Sequence, residues 1–240
     1  MARRGFGRFL LGRFQHPAQV VVTVFGLAVL VGTVLLVMPP AVASGRPVRL
    51  LDALFTATSA VCVTGLTIVD TAAHWSVFGQ AVILVLIQLG GFGIMTLATL
   101  FALLISGRTE LVAGVPTRIR PTALEPADLR RVVRRVLLFS LGVEAVTAAI
   151  LALRFALGYG EPVGRALYLG VFHAVSAFNN AGFTPWPDDL LRFVTDAWVC
   201  LPLAGAVIVG GLGFPVVFEL VRTWRRPGRW SVLTRLTLGV

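Results

Sequence analysis

The chain has 240 residues, of which 57% are hydrophobic and only 13% are charged, and its formal net charge is +10. Soluble domains are typically about 45–50% apolar and about 25% charged, so this composition indicates an integral membrane protein. The sequence contains no CxxC pair, His/Cys metal-ligand spacing, phosphate-binding glycine loop or nucleophile–base pair. We therefore expect no enzyme and no structural metal site. All 21 basic residues are arginines beside apolar segments, which favours membrane orientation over nucleic-acid binding.

Four apolar stretches are candidates for membrane spans. A bilayer core requires about 20 consecutive apolar residues, and each stretch is close to or above that length. The stretches are Val20–Met38, Trp75–Gly107, Val136–Leu153 and Ala197–Phe218. We expect each of them to form a transmembrane helix.

The first stretch has a second interpretation. Arg3, Arg4 and Arg8 are among the arginines that precede it, and the small-residue sequence Ala41–Ala43 follows it, as in a cleaved signal peptide. Its apolar run of 19 residues is longer than the usual signal core of about 7–15 residues. A retained helix is therefore favoured.

Two segments that lie 117 residues apart carry the same pattern. Phe55–Thr67 aligns with Phe172–Thr184 without a gap, and six of the thirteen positions are identical. A Gly-Gly-x-Gly motif follows each segment, at Gly90–Gly93 and again at Gly210–Gly213. Self-similarity of this kind indicates a duplicated unit. Each unit has a short apolar segment with a single glycine, followed by a long apolar segment.

The positions of the arginines distinguish two topologies. If the short segments Ala53–Val69 and Ala166–Pro187 crossed the membrane, 11 arginines would lie inside and 10 outside. If both segments enter from outside and return, 16 lie inside and 5 outside. Because cytoplasmic loops carry the excess of arginine, we expect four spans and a cytoplasmic N-terminus. The predicted fold is an all-α integral membrane protein with repeated outer helix–re-entrant pore loop–inner helix units.

A re-entrant loop places the C-terminal end of a short helix near the bilayer centre. The short helices predicted here are Leu50–Val61 and Arg165–Phe178, and such ends carry about half a negative charge, which favours a cation. The carbonyl oxygens of the returning chain can then replace the hydration shell of an ion. Gly65 and Gly182 can adopt the dihedral angles needed to aim carbonyls, and the matched sequence around them favours this role over simple helix breaking. The predicted ion-binding residues are Cys62, Val63, Thr64, Gly65, Asn179, Asn180, Ala181 and Gly182.

These segments resemble the Trk/Ktr/HKT-type potassium transporters. Thr56–Asp70 is similar to the first pore loop of the Ktr-type membrane subunit, and Ser176–Phe183 is similar to the second. Phe78–Gln80 and Gln88–Thr96 resemble the inner helix that follows the first loop. The resemblance covers the whole chain and places it nearest to the first half of the Ktr-type ion-translocating subunit. The resemblance implies that the protein takes up potassium and that potassium at the filter is the only bound metal ion. It implies no cofactor in this chain, and it leaves a dependence on sodium open.

The resemblance also implies partners and a location. We expect a multi-pass protein of the plasma membrane, a homodimer of the full-length subunit and a cytoplasmic nucleotide-binding regulatory subunit. The family pattern has four pore units around one pore, whereas two are recognised here. We therefore expect a fragment of a longer subunit, with a pore built from two copies as the alternative. The competing function is that of a truncated, non-conducting membrane fragment or scaffold.

The predicted organisation follows the two units. Residues 1–107 form the first unit, with an outer helix at 20–38, a pore helix and filter at 50–69 and an inner helix at 75–107. Residues 108–135 form a basic cytoplasmic linker. Residues 136–224 form the second unit, with the corresponding parts at 136–157, 165–184 and 195–221. Residues 225–240 form a linker and the start of a third outer helix.

Several further residues are candidates for function. Glu144 lies in the middle of a predicted span, where a charge is expensive, and a functional role and a hydrogen-bonded packing role are equally compatible with it. Asp70 and Asp188 either concentrate cations at the outer mouth or cap loops. His173 is expected to be a packed or hydrogen-bonded residue rather than a ligand. The glycines of the two motifs serve packing or gating, with packing favoured: Gly90, Gly91, Gly93, Gly210, Gly211 and Gly213.

Overall fold

The computed structural model describes residues 17–43, 48–112, 126–226, 228 and 230–239, and this part of the chain is mainly helical. The helices are α1 (Pro17–Val37), α2 (Leu50–Val61), α3 (Thr71–His74), α4 (Val77–Val112), α5 (Pro126–Tyr159), α6 (Val163–Phe178), α7 (Ala197–Leu212), α8 (Phe214–Thr223) and α9 (Val232–Gly239). Short 3₁₀ turns occur at Pro39–Ala41 and Leu191–Phe193. Residues 1–16, which include four of the arginines used for the topology, and residues 113–125 of the predicted linker lie outside the described residues.

Two long helices extend beyond the predicted spans into the predicted linker. The inner helix α4 continues to Val112, and the outer helix α5 begins at Pro126. The prediction ended both helices where charged residues begin. Charge ends the membrane-embedded part of a helix, but arginine and glutamate are good helix formers and let the helix continue into water. Pro126 is well placed at the start of α5, because the first helical position needs no backbone N–H donor.

Two of the described helices are long and apolar enough to cross a membrane by themselves. They are Val77–Thr96 within α4 and Val133–Tyr159 within α5, and α7 with α8 forms a third candidate if the bent pair is one span. The described apolar part of α1, Val22–Val37, is shorter. Its large side chains are nevertheless mostly exposed, with Val22 72% and Leu30 62% accessible. An exposed apolar surface of this kind is typical of a face that contacts lipid or a further protein segment.

The second inner helix, predicted as one helix over 195–221, is broken. Its two parts, α7 and α8, meet at Gly213 at an angle of 102°. Gly213 has φ 77° and ψ 151°, a conformation that an L-residue rarely adopts. Pro215 follows at the start of α8 and cannot donate a hydrogen bond back to α7. The prediction of a continuous helix is therefore wrong at this point, and the Gly-x-Pro sequence is the physical reason.

The ends of α1 and α4 are joined by a short extended pairing. Val42 and Trp75 form an antiparallel bridge. Ser76 N donates to Ala41 O at 2.9 Å, and Ala43 N donates to His74 O at 2.9 Å. Trp75 is almost completely buried there. The bridge holds the outer and inner helices of the first unit together at the side where α2 begins.

The two units share one apolar core around their short helices. Ala57 and Val61 of α2 belong to the same buried cluster as Ile87 of α4 and Phe172 of α6. A second cluster, centred on Phe155 and including side chains of α5, α6 and α7, stabilises the second unit. One face of each short helix, α2 and α6, is thus packed in the core, and this face includes the residues next to the chain that follows.

A final helix follows the second unit. Residues 225–240 were predicted as a linker and the start of a third outer helix, and α9 covers Val232–Gly239. The carboxylate of Glu219 on α8 accepts hydrogen bonds from Ser231 N and Ser231 Oγ, both at 2.6 Å. Because Ser231 directly precedes α9, these bonds fix the position of its first turn relative to α8.

Candidate ion pathway between two loops

Two loops follow the C-terminal ends of the short helices. We define loop 1 as Cys62–Gly65, after α2, and loop 2 as Asn179–Gly182, after α6. The first residue of each loop caps its helix with nearly identical dihedrals, φ −82° and ψ −1° at Cys62 and φ −81° and ψ 0° at Asn179. The eight predicted ion-binding residues therefore lie in two segments that begin in the same conformation.

The sign of φ alternates along both loops. Val63 and Gly65 have φ of 54° and 72°, and their counterparts Asn180 and Gly182 have φ of 58° and 73°. Among the described residues, Thr64 and Ala181 are not in the positive-φ region. Alternation of right- and left-handed residues turns successive N–H groups to one side, and the carbonyl groups consequently to the other. Each loop thus has the backbone geometry of a row of carbonyl oxygens.

The first three N–H groups of each loop are hydrogen-bonded to carbonyl oxygens of the preceding short helix. Thr64 N donates to Ser59 O at 2.9 Å, and its counterpart Ala181 N donates to Ser176 O at 2.7 Å. Val63 N and Asn180 N likewise donate to carbonyls three residues earlier, at 3.2 and 3.0 Å. Within the described ranges, no donor bonds to the carbonyl oxygens of either loop. Backbone carbonyls without a protein partner need water or a cation, and such rows suit an ion that has lost its hydration shell.

Side chains behind the loops hold this conformation. Ser59 and Ser176 occupy matching repeat positions, and both bond to the returning chain: Thr64 Oγ1 donates to Ser59 Oγ at 3.0 Å, and Ser176 Oγ donates to Phe183 O at 2.7 Å. The buried His173 lies 2.7 Å from Leu169 O through Nδ1 and 3.2 Å from Thr184 Oγ1 through Nε2. His173 therefore supports the loop as a hydrogen-bonded residue. The two serines were not singled out from the sequence, although the repeat alignment pairs them.

The loops touch each other and border two cavities. A Cβ atom placed on Gly65 would overlap the carbonyl oxygen of Ala181 in loop 2. The cavity on one side has a volume of about 770 Å³, and Gly65, Gly182 and Asp189 are among its lining residues. The cavity on the other side has a volume of about 310 Å³ and contacts Cys62, Val63, Asn179 and Asn180. Residues of both loops therefore border both cavities, and Asn180 lines each of them.

The Gly-Gly-x-Gly motifs lie against the ends of the short helices. A side chain on Gly90 would overlap the carbonyl oxygen of Val61, and one on Gly210 would overlap that of Phe178. Val61 and Phe178 are the last residues of α2 and α6, so the first glycine of each motif makes the same close contact in its own unit. Gly91 makes room for the side chain of Asn179.

The remaining glycines differ between the motifs. Gly93 faces the ring of Phe25, where a Cβ would lie 2.8 Å from two ring atoms, and Gly211 lies beside the Asn180 side chain. Gly213 forms the break between α7 and α8. Four of the six positions are thus close-packing sites, Gly211 makes only an ordinary contact, and Gly213 is a bend.

Comparison with known proteins is consistent with this arrangement. Residues 12–230 match the TrkH family, described as "Cation transport protein". The chain belongs to the TrkH family. It is therefore an all-α membrane protein of an ion-transport family and not an enzyme.

Individual relatives extend this result. The chain is 40% identical over 222 residues to a protein of Bacillus subtilis named "Ktr system potassium uptake protein B", which covers 92% of this chain and 49% of the relative. It is 37% identical over 211 residues to the protein of the same name from Vibrio alginolyticus, over 88% and 45% of the two chains. It is 33% identical over 224 residues to the "Potassium/sodium uptake protein NtpJ" of Enterococcus hirae, over 93% and 49%. The chain spans about half the length of the curated relatives it matches.

Two acidic residues, Asp70 and Asp189, line the larger cavity of this TrkH-family chain. Asp70 lines the cavity, but its carboxylate accepts from Ala72 N at 2.7 Å and from Ala73 N at 3.0 Å, so it also caps α3. Asp188 is exposed and does not belong to the described lining, whereas its neighbour Asp189 does. Sequence reasoning selected Asp188 and missed Asp189. Both are aspartates in one turn, and only the turn geometry decides which of them faces the cavity.

An ionic cluster holds the second outer helix to the second inner helix. Asp196 accepts from Arg154 Nε at 2.7 Å and from Tyr159 Oη at 2.8 Å, and it caps the start of α7 by accepting from Trp198 N at 2.9 Å. Burial alone would raise the pKa of the Asp196 carboxyl, but the hydrogen bonds from Arg154 and Tyr159 hold the pKa below its usual value. Asp196 is therefore a charged anchor at the edge of the second unit.

Glu144 of α5 contacts the start of loop 2. Its side chain is buried, and its carboxylate accepts from Gln88 Nε2 at 3.0 and 3.1 Å and from Asn179 Nδ2 at 3.4 Å. Gln88 belongs to the first unit, whereas Asn179 begins loop 2. Glu144 and Asn179 are separate candidates in the sequence, and nothing in their spacing shows that Gln88 lies between them.

Proposed function

We propose that the chain supplies two pore units of a potassium uptake protein of the plasma membrane. In this proposal, potassium ions pass along the backbone carbonyl oxygens of loops 1 and 2, from the larger cavity toward the smaller one. The observation that carries the proposal is the matched alternation of φ in the two loops, together with carbonyl oxygens that have no donor within the described residues. A row of carbonyl oxygens that replaces the hydration shell is the chemistry of potassium selection.

The choice of ion rests on the relatives. Three of them are named for potassium uptake, and one of these is named for potassium and sodium. Loop carbonyls carry no formal charge, so they suit a monovalent cation better than a divalent one, whose dehydration is far more costly. We therefore propose potassium as the main substrate.

A closed ring around an ion requires four carbonyl-bearing loops. Two lie within the described residues, and the chain spans about half the length of its curated relatives. We propose that two further loops complete the ring, supplied by the remainder of a longer subunit or by a second copy of the chain. A homodimer of the full subunit and a cytoplasmic nucleotide-binding regulatory subunit are the partners that the family resemblance implies.

The proposed topology places loops 1 and 2 as re-entrant segments that enter from outside. Sixteen of the 21 arginines then lie inside and five outside. The positive-inside rule supports this arrangement and a cytoplasmic N-terminus. The long apolar parts of α4 and α5 are compatible with it, since each can cross a membrane by length and composition.

An uptake measurement tests the proposed function. The segment of the Bacillus subtilis relative that matches this chain is replaced by the chain, and the joined protein is expressed in a bacterium that lacks its own potassium uptake systems. We expect growth at low potassium and uptake of ⁸⁶Rb⁺, which reports on potassium transport. The chain expressed alone serves as the comparison, and we expect no uptake from it, because two loops cannot close a ring.

The outcomes separate the two functions under consideration. Uptake by the joined protein supports a conducting role. A joined protein that reaches the membrane in normal amount but transports no rubidium contradicts it, and leaves the non-conducting scaffold as the function. Uptake by the chain alone, with a purified species of twice its mass, shows that the ring forms from two identical copies.

A further inference from the structure

The buried side chains of Glu144 and Asn179 form a hydrogen-bonded triad with the half-buried Gln88. Gln88 Nε2 donates to both carboxylate oxygens of Glu144, and Asn179 Nδ2 donates to Gln88 Oε1 at 3.0 Å and to Val175 O at 2.9 Å. Every described hydrogen bond to Glu144 thus comes from a side-chain amide, an arrangement that an ionised carboxylate, which can only accept, satisfies fully. We take the three side chains as one unit, called the triad below.

The triad lacks a positive partner within the described part of the chain. The described ion pairs join Arg154 to Asp196 and Arg165 to Glu161, and neither includes Glu144. On its outer side the triad borders an apolar pocket of about 350 Å³, lined mainly by leucine, valine and alanine side chains of α4, α5 and α6. A charge inside a membrane protein is expensive unless an opposite charge compensates it. The pocket supplies none.

The inner side of the triad leads to the ion pathway. Asn179 is the first residue of loop 2 and lines the smaller cavity. Its side chain occupies the space that Gly91 leaves free, and it is the direct link between Glu144 and the loop backbone. A cation at this end of loop 2 would be the nearest available positive charge, and it would lie at the negative end of helix α6 as well.

The triad occurs at only one of the two corresponding places in the described residues. In the repeat alignment, Asn179 corresponds to Cys62, and Gln88 corresponds to Ile208 at the shift of 120 that relates the glycine motifs. The positions that match Glu144 at shifts of 117 and 120 are Leu27 and Val24. A residue needed only for packing of the repeat would be expected in both units. The polar triad instead belongs specifically to the contact between the first and the second unit.

We propose that Glu144 is a positioning residue that, through Gln88 and Asn179, supplies the fixed negative charge holding a cation at the inner end of loop 2. This inference rests on the proposed function, because it assumes that the cation of the pathway is the one that compensates Glu144. It predicts an effect on the apparent affinity for potassium. Sodium and potassium carry the same charge, so the effect on discrimination between them is smaller.

The test uses the joined protein described above and measures the concentration of rubidium that gives half-maximal uptake. Glu144→Gln keeps the shape of the side chain and removes the charge, while Gln88 can rotate its amide to keep the hydrogen bond. We expect the half-maximal concentration to rise about tenfold, since one unit charge in partly screened surroundings changes a binding constant by roughly that much. The double variant Gln88→Glu/Glu144→Gln returns the charge to a side chain that already bonds to Asn179, and we expect it to restore most of the affinity.

Ser140→Ala is the matched control. Ser140 is a buried polar residue of the same helix, one turn before Glu144, and its hydroxyl donates only within the helix, to Val136 O at 3.1 Å. We expect unchanged affinity from it. If Glu144→Gln accumulates in the membrane and keeps the original affinity, the inference is overturned.

If Glu144→Gln does not accumulate in the membrane, the double variant Gln88→Glu/Glu144→Gln provides the test. A double variant that accumulates with near-original affinity supports the role of the charge, and one that accumulates with strongly weakened affinity contradicts it. If neither variant accumulates while Ser140→Ala does, Glu144 is a folding residue and the inference is overturned. A joined protein without any uptake in its unsubstituted form contradicts the proposed function instead, so the two failures are distinguishable.

Discussion

Gly65 and Gly182 meet backbone to backbone where loop 1 and loop 2 touch. A Cβ atom on Gly182 would lie 3.7 Å from the Cα atom of Gly65, whereas a Cβ atom on Gly65 would overlap the carbonyl oxygen of Ala181. The two residues lie 117 positions apart in the sequence and have φ of 72° and 73°. The two glycines therefore have the same backbone conformation, but a side chain has room at Gly182 and none at Gly65. Substitutions at the two positions should differ in effect.

The first prediction concerns this pair, in the joined protein. Gly65→Ser should abolish most rubidium uptake, because its side chain must displace the backbone of loop 2. Gly182→Ser should keep measurable uptake but discriminate less between rubidium and sodium, since the added side chain has space and only the positive φ is strained. Uptake in competition with sodium measures both effects. Equal and full selectivity in the two variants would show that the glycines have only a structural role.

The second prediction concerns the close contact between Gly210 and the end of α6. Gly210→Ala should lower the free energy of unfolding of the purified protein by about 1–3 kcal/mol, because the new methyl group would overlap the carbonyl oxygen of Phe178. Gly205→Ala, in the same helix, is the control: nothing lies within 4 Å of its Cβ position, so we expect stabilisation of up to about 1 kcal/mol. Thermal unfolding in detergent gives both values. A neutral Gly210→Ala would mean that the contact is easily relaxed.

The repeat in the sequence was sufficient to locate loops 1 and 2, because a duplicated unit shows itself by alignment and the positive-φ glycines align within it. The positive φ of Val63 could not be predicted, since a β-branched residue strongly disfavours that region and only the surrounding structure holds it there. The positive φ of Asn180 could not be predicted either, although asparagine tolerates this conformation better than valine does. The hydrogen bonds from Thr64 N to Ser59 O and from Ala181 N to Ser176 O hold both loops in these conformations against the local backbone preference.

Contacts between the two units could not be predicted from the sequence repeat. The triad joins side chains from three helix ends or faces that lie 35 to 91 residues apart, and no periodicity relates them. The bend between α7 and α8 was predictable in principle from Gly213 and Pro215, which were present in the sequence but were absorbed into a long apolar run. The length of the apolar run was sufficient to locate this segment, but it gave no sign of the break at Gly213.

The third prediction concerns Asp196. Because the pKa of its carboxyl lies below the usual value in the folded protein, the ionised form stabilises the fold above the pKa of the unfolded chain, and this stabilisation is lost as the pH falls through the folded pKa. Asp196→Asn should therefore lower the unfolding temperature at neutral pH and make little difference at strongly acidic pH.

Glu161→Gln is the control for this measurement. Glu161 pairs with Arg165 at 3.3 Å, but Arg165 is largely exposed, and exposed pairs contribute little. We expect almost no change at either pH. An Asp196→Asn protein as stable as the original at neutral pH would show that the cluster with Arg154 and Tyr159 is not an anchor.

The fourth prediction concerns topology. In a background with Cys62 and Cys200 replaced by serine, a cysteine at Asp189 should react with a membrane-impermeant maleimide added to intact cells. A cysteine at Arg226 should react only after the cells are permeabilised. Both positions are exposed in the structure, so reactivity reports the side of the membrane rather than burial. Labelling of Arg226→Cys in intact cells would contradict the cytoplasmic placement of the arginines after α8.

The central claim is that potassium is held by the backbone carbonyls of loops 1 and 2. The most direct measurement is a crystal structure of the joined, transporting protein soaked with thallium(I), which replaces potassium and is located by its anomalous scattering. The account predicts an anomalous peak between the two loops, within coordination distance of carbonyl oxygens from Cys62–Gly65 and Asn179–Gly182. A protein that transports rubidium but shows its thallium peaks elsewhere, with none between these loops, would contradict the account.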